Sequence, residues 1–437
     1  MKKTIKYLRK VIPHNSPIRL WYTRSLQYYT FKSDKLDLGD IQLIGVTGTD
    51  GKTTTIEMIA HILNELNIPY LSTSSLEAKI NGKVITASKR TTPSLRALHA
   101  LLRQAKNEGA RVAVIEVSSH ALAQWRVLGL KFDVSVLTNI THEHLNFHKT
   151  QENYANTKKL LFTKYLKQFG TTILPTNDEY GNNWIKEFGN IALPYSPQNT
   201  CAITDKYGTA FVYKDVQYQI PMLGSYNAGN AIAAALAVSS LKTSKQGLDV
   251  TTEDALLALG NFAGIAGRMQ IVQTPKSSFG VDVTCIVDFA LTERAMSSAL
   301  NTCREIAQSN KVIVVFGASG GQHDASVHPG LARAAAKGAD VCIVTDDEPY
   351  DGDPAEIRAN LIKNIKKTNP LNASTTECEY YNIADRYEAI QKALALATDG
   401  DVIMVSGMGH YTSRTVNGAE IPWNDAEVLG EILNTSK

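Results

Sequence analysis

The sequence predicts an α/β fold in two parts: a central unit whose mostly parallel sheet carries a phosphate-binding loop, and a second α/β unit behind it. Three observations predict this. First, the apolar run 41–46 leads into glycines and hydroxyl residues, after which Ile59, Ile62, Leu63 and Leu66 recur on one side of a helix over 56–66. Second, short apolar runs at 112–117 and 134–137 alternate with helical patterns, as strands joined by crossover helices do. Third, four more such runs follow at 284–289, 311–316, 341–345 and 402–406, again with helical patterns between them.

Composition bounds the rest. A chain of 437 residues exceeds one ordinary core. Hydrophobic content of 43% with 20% charged residues describes a globular protein. A formal net charge of +3 is too small to argue for a nucleic-acid partner, and none is expected. The cysteines Cys201, Cys285, Cys303, Cys342 and Cys378 are scattered, with no C-x-x-C pair. Neither a zinc ribbon nor a disulfide framework is expected, and a reducing, cytoplasmic setting fits. No apolar stretch reaches about 18 residues, the length that spans a bilayer. No signal peptide is read at the start, because charge interrupts the apolar positions of residues 1–13.

In chain order, residues 1–32 hold basic residues but no acidic ones. On a helix Ile5, Leu8 and Ile12 share one face, and Lys2, Lys3, Lys6, Arg9 and Lys10 the other, until Pro13 ends it. Leu20, Trp21, Tyr22, Tyr28, Tyr29 and Phe31 follow. Two readings stand: an arm packed on the next domain with its charges in water, or a surface resting on an anionic membrane or substrate.

The turn Thr47-Gly48-Thr49-Asp50-Gly51-Lys52-Thr53 comes next. Gly48 and Gly51 let the backbone approach an anion, and the N–H groups of the helix start point at it. Lys52 supplies a point charge, and the Thr53 hydroxyl can hold magnesium. The turn is shorter than the general nucleotide loop, since Val46 stands where its first glycine would fall.

Glu116 ends the second strand, where open α/β sheets place their sites, and its carboxylate suits magnesium. The third strand runs into His142, His144 and His148, a density that favours metal or phosphate chemistry. A helix over 154–162 carries Lys158 and Lys159, which pattern alone leaves in solvent. Asn227 and Asn230 open an alanine-rich helix over 231–239, as caps or as contacts to a base.

The loop, Glu116-Val-Ser-Ser-His120, Thr138-Asn-Ile-Thr-x-x-His144 and Asn227-x-x-Asn230 stand in the order seen in the Mur ligase family, and the chain resembles that family over about 41–430. The likeness is greatest to the type that adds the third amino acid to a muramoyl-dipeptide (MurE-type). The resemblance implies a P-loop central ATPase domain at 41–265 and a Rossmann-like domain at 266–437. A short arm, 1–40, stands in place of the family's UDP-binding domain. It implies an ATP-dependent amide ligase of cell-wall peptide synthesis, working through an acyl phosphate. ATP is then expected at Thr49, Gly51, Lys52, Thr53, Thr54, Asn230, Arg268 and Asp288. Two magnesium ions are expected, one on Thr53 and Glu116, the other on His144 and a carbamylated Lys158. Thr91, Thr92, Ser118, Gln124 and Arg126 would grip the acceptor. His120 and His410 are candidate bases for the incoming amine.

Departures concentrate at the incoming amino acid. The family's Asp-Asn-Pro-Arg is here Asp347-Glu348-Pro349-Tyr350, its Lys-Arg-Pro is Val327-His328-Pro329, and its Gly-Lys-Gly-His-Glu is Gly407-Met408-Gly409-His410-Tyr411. Tyr350 removes a bidentate carboxylate fork, and Tyr411 removes an anion for an ammonium. Glu348 adds a carboxylate that can take an amine, so an amino acid other than meso-diaminopimelate, lysine-like, is expected. Leu291 replaces a histidine at the nucleotide wall. Gly264 and Gly267, ahead of Arg268, read as a hinge. A monomer is expected, acting on a small-molecule or lipid-linked muramoyl-peptide, with 1–32 touching the inner membrane face in the latter case. Rival readings are a ligase amidating a lipid-linked muropeptide (MurT-like), a pseudomurein-type ligase, a folylpolyglutamate-type ligase, and a non-catalytic nucleotide-binding module.

Overall fold

The computed structural model describes residues 16–87, 91–241, 249–272, 282–320, 327–350, 352–368, 377–416 and 419–435. The helix expected over the first dozen residues lies outside them. The chain gathers into two units. One comprises Met1–Cys201, Phe211–Gln219 and Asn227–Phe262, the other Ala202–Ala210, Ile220–Tyr226 and Ala263–Lys437.

The first unit is built on an eight-stranded sheet. Its order is Lys83–Ala87, Glu77–Ile80, Tyr70–Thr73, Val112–Glu116, Gln42–Thr47, Phe132–Leu137, Leu166–Pro175, Ala192–Tyr195. All neighbours run parallel except at one edge, where Glu77–Ile80 is antiparallel to both Tyr70–Thr73 and Lys83–Ala87. Buried on both faces, the central strands are continuous apolar runs rather than alternating ones. Leu43, Ile44 and Val46 are fully enclosed, and each stabilises the unit by about 1.5–3 kcal/mol through removal of apolar surface from water. Val46 lies opposite both Glu116 and Val136. That register brings the glycine turn, Glu116 and the residues after Leu137 to one edge of the sheet.

Two helices begin earlier than their apolar spacing predicts. The helix after the turn is Lys52–Glu65, because Gly51 is left-handed at φ 81° and starts it there. The alanine-rich helix is Tyr226–Ser239. Asn227 and Asn230 are therefore inside it, not capping it; the Asn230 amide donates to Asn227 Oδ1 at 2.8 Å. Pro17–Ser33 is a helix that the sequence did not announce, with proline at its first position. It is held by Arg24, whose Nε donates to the Ala123 carbonyl at 2.8 Å, and by Gln27, which accepts from Leu95 N at 3.0 Å.

The second unit has a six-stranded sheet in the order Gln270–Val272, Thr284–Asp288, Val402–Ser406, Val312–Phe316, Val341–Val344, Glu379–Asn382. All pairs are parallel except the first. Asp288, Ser406, Phe316 and Val344 share a register line. The segments that follow them, including Gly317, Asp347 and Gly407, thus meet at one edge. Apolar clusters fill both faces of this sheet. The five cysteines are free thiols. No helix among the described residues is long and apolar enough to cross a membrane.

Candidate active site

At the first unit's carboxyl edge, Thr53 donates its hydroxyl to Glu116 Oε2 at 3.1 Å, and Ser75 N donates to the same oxygen at 2.8 Å. No side chain caps the helix that Lys52 begins, so its first N–H groups remain for an anion. Gly48 and Gly51 are positional requirements. A methyl on Gly48 would lie 1.8 Å from the Thr138 hydroxyl, and one on Gly51 2.7 Å from Asn230 Oδ1. Lys52 folds back to the Thr49 carbonyl at 2.6 Å. Thr54 is buried beside Thr53.

Lys158 is not in solvent. It is 1% exposed. Its ammonium donates to the Gly48 carbonyl at 2.5 Å and lies 4.4 Å from the Tyr154 ring centre. Burial first, then the charge of Lys52, drives its pKa well below the ordinary lysine value. Tyr154 in turn meets the Thr49 hydroxyl at 3.2 Å and donates to Glu143 Oε2 at 3.2 Å. Glu143 Oε1 lies 3.5 Å from His144 Nε2. Thr49, Tyr154, Glu143, His144 and Lys158 therefore form one group around the turn.

The three histidines separate. His148 is buried, with Nε2 on the Ser119 hydroxyl at 3.0 Å, and burial pushes its pKa down to about 4. His120 joins His144 instead, ring centres 4.7 Å apart. Burial lowers His120 to about 2, which corrects its reading as a base: it stays neutral and accepts protons poorly. Among the described residues no three His, Cys, Asp or Glu side chains gather as a metal cage. The oxygens of Thr53 and Glu116 are the hard donors that magnesium takes, in sites completed by phosphate and water. The residues present fit that ion.

Beside Glu116 a second set converges. Thr92 donates to the Glu116 carbonyl at 2.8 Å and meets the Ser118 hydroxyl at 3.2 Å. Arg126 reaches the Thr92 carbonyl at 2.9 Å and Gln124 Oε1 at 2.7 Å. Thr91 precedes Thr92, half-buried.

In the second unit, Asp288 is buried and accepts from Met269 N at 2.8 Å. Burial raises its pKa, opposed by Arg268. The Arg268 guanidinium lies 4.4 Å from the Phe289 ring centre. A methyl on Gly267 would lie 2.1 Å from the Gly409 carbonyl carbon, whereas Gly264, at φ 82°, has open space. His410 packs on Phe289 and Tyr411. Burial holds its pKa at about 4, which corrects its reading as a base in the same way. His328 is buried with Nε2 at the Ser319 carbonyl, 2.9 Å away. Glu348 is offered to an amine by the sequence, but its oxygens are engaged: Tyr350 donates to Oε2 at 2.6 Å and Thr415 N to Oε1 at 3.1 Å.

Asp347 is 3% exposed, and burial raises its pKa to about 7, against the pull of Arg386. Arg386, fully enclosed, forks onto Asp425 at 2.8 and 2.7 Å and donates to the Ser406 carbonyl at 2.9 Å. Sequence reasoning missed Arg386, Asp425 and Arg414, which no local spacing marks. Tyr154 and Glu143 stood within motifs already read, so their polar side chains beside His144 were the available signal.

Residues 46–238 match the Mur ligase middle domain, and residues 267–409 the Mur ligase glutamate ligase domain. A UDP-N-acetylmuramoyl-L-alanyl-D-glutamate--2,6-diaminopimelate ligase from Aquifex aeolicus is 32% identical over 401 residues, 90% of this chain and 77% of the relative. This chain belongs to the Mur ligase family. The ligase of the same description from Bacteroides thetaiotaomicron is 34% identical over 406 residues, 90% of this chain and 78% of the relative. A solved structure of such a ligase superposes with TM-score 0.61 at 26% identity, covering 94% of this chain and 82% of that one. This Mur ligase is an ATP-dependent amide ligase of cell-wall peptide synthesis, using ATP and magnesium as its family does.

Proposed function

We propose that this Mur ligase joins an amino acid, through its amino group, to the terminal carboxylate of a muramoyl-dipeptide acceptor, as MurE-type ligases do. The observation that carries the reading is the Thr53–Glu116 contact at the uncapped helix start, with the buried Lys158 on the same turn. Lys52 holds the phosphate oxygens of ATP, helped by the N–H groups after Gly51, and Asn230 backs the turn. Thr92, Ser118, Gln124 and Arg126 hold the acceptor so that its carboxylate oxygen attacks the γ-phosphorus in line and ADP leaves. The amine then attacks the acyl carbon, phosphate departs, and an amide remains. Thr53 and Glu116 would hold one magnesium ion, and His144 with a carbamylated Lys158 a second; the ions supply charge neutralisation at the phosphoryl group. A buried lysine kept neutral has the free amine that carbon dioxide needs for a carbamate, which supports that modification. Burial makes His120 and His410 weak bases, so the amine arrives already neutral or sheds its proton to water.

One further observation favours a lipid-linked acceptor over a free one. The helix Pro17–Ser33 presents Ile18, Trp21 and Tyr29 at 67%, 70% and 72% exposure. Arg24 ties it to Ala123, next to Gln124 of the acceptor set. Aromatic and basic groups together suit a lipid interface.

The test is ADP release over a matrix of UDP-linked and lipid-linked muramoyl-dipeptides against amino acids, with products identified by mass. ADP release that requires both acceptor and amino acid is expected. Turnover of ATP without any acceptor would sink the reading. Incubation with ¹³C-bicarbonate should give a carbamate carbon signal that Lys158→Met abolishes. Anionic vesicles should co-sediment the wild type and lose it in Trp21→Ala/Tyr29→Ala.

A further inference from the structure

The amino-acid end of the second unit encloses polar atoms that bond to nothing. Both carboxylate oxygens of Asp347, Nη1 of Arg386, and Nε and Nη1 of Arg414 are buried without a hydrogen-bond partner. Enclosed donors and acceptors of this kind are costly at rest and are satisfied by water or a ligand. Arg386 is already committed to Asp425 and to the Ser406 carbonyl. Among the described residues Arg414 has no such commitment to a carboxylate.

The position of Arg414 ties it to the incoming amino acid. It lies on the strand Ser413–Val416. The next residue, Thr415, donates its N–H to Glu348 and accepts the Tyr350 N–H at 3.2 Å. The strand is therefore stitched to the Asp347–Tyr350 stretch, where the family's arginine is replaced by Tyr350. The Arg414 guanidinium lies over the Trp423 ring, 5.0 Å from its centre, which restricts its plane. Trp423 is itself pinned, its Nε1 donating to Asp425 Oδ1 at 2.8 Å. Arg414 and Asp347 sense each other's charge without bonding. Burial and the like charge of Arg386 disfavour the cationic form of Arg414, and an arriving anion relieves both. A guanidinium with enclosed, unbonded donors matches a carboxylate; an enclosed carboxylate whose charge it senses matches the ammonium of the same molecule.

We propose that Arg414 binds a carboxylate of the incoming amino acid, supplying from the strand Ser413–Val416 the guanidinium that Tyr350 displaces from the Asp347–Tyr350 stretch. This rests on the ligase reading above, with the incoming amino acid at the Asp347–Tyr350 stretch as the family resemblance implies. It also reopens the preference: loss of the family's arginine no longer argues against a second carboxylate on the substrate.

Steady-state kinetics with meso-diaminopimelate, L-lysine and L-lysinamide test it. The first pair differs by a distal carboxylate, the second by the α-carboxylate. Arg414→Ala should raise KM for the best of these about tenfold or more, leave KM for ATP within about twofold, and abolish the wild-type preference for the carboxylate-bearing member of one pair. Arg414→Lys, which keeps the charge and the stem over Trp423, should recover part of the loss. Retention of both preferences in Arg414→Ala, or a rise confined to the acceptor's KM, overturns the inference. A wild-type enzyme that joins no amino acid of the wider matrix to any acceptor overturns the ligase reading beneath it, and one that uses other amino acids but none of these three overturns the inference, so the two failures are told apart.

Discussion

At the phosphate-binding turn the site side chains are paired with one another, Thr53 with Glu116 and Tyr154 with Thr49 and Glu143, although the hydroxyls of Thr47 and Thr73 are enclosed there without a partner. At the carboxyl edge of the second sheet they are not, and Asp347, Arg386 and Arg414 each keep enclosed atoms without partners. Both regions sit where parallel strands end and loops begin, so topology does not account for the contrast. The turn is shaped in advance by backbone and neighbours, and ligand is added to a finished frame. The second edge holds charge in reserve at a cost to folding, so changes there should move stability as well as activity.

The largest expected effect tests the first half of that contrast. Lys52→Ala should lower ADP release about a thousandfold, or ~4 kcal/mol of transition-state stabilisation. Thermal stability should hardly change, since Lys52 bonds only the Thr49 carbonyl. Retention of more than about a tenth of the rate would reduce the turn to an ordinary loop.

Next in size is Arg386→Ala. It strips the buried pair with Asp425 and leaves Asp347 facing an uncompensated carboxylate, a loss of about 3–5 kcal/mol read by urea unfolding. Comparable stability in the variant would mean that the second edge stores no charge cost.

Asp347→Asn should act in the opposite direction. Burial pushes the folded carboxyl up to about 7, above the ordinary aspartate value of 3.8. The folded chain therefore binds more protons than the unfolded chain between those values, and stability from this group falls as pH rises through that window. At pH 8 the variant should be more stable than wild type by about 1–3 kcal/mol, and near pH 4 the difference should vanish. Ligation should be lost at both pH values. Equal stability across the range would show that Asp347 is solvated after all.

The smallest effect is expected where side chains are mostly exposed. Trp21→Ala with Tyr29→Ala should change stability by no more than about 0.5 kcal/mol, so that any loss of vesicle binding is not a folding defect.

The sequence made the first region legible because its signals are local. An apolar run, a glycine turn and a lysine in frame need no distant partner to be recognised. Helix starts were misplaced where local preference opposes tertiary demand. Thr53, Thr54 and Thr55 are poor helix formers, so apolar periodicity marks a start at residue 56, although Gly51 begins the helix at Lys52. Asn227 and Asn230 favour caps on their own, yet they bond each other inside a buried helix. Lys158 looked solvated because a pattern of two lysines says nothing of the Gly48 carbonyl beneath one of them. The second region was legible only through its departures from family motifs. Arg386, Asp425 and Arg414 lie far apart in sequence, and only the register of Asp288, Ser406, Phe316 and Val344 brings the segments around them to one edge.

The left-handed Gly51 rests against an amide from a helix that begins only at Tyr226. The nucleotide cradle is thus completed by one of the last parts of its unit to leave the ribosome. A nascent chain arrested before that helix would carry the whole eight-stranded sheet and still lack the backstop. ATP retention by stalled chains of increasing length should therefore switch on late and in one step. A pair of fragments divided just ahead of Tyr226 would report their own reassembly through nucleotide capture.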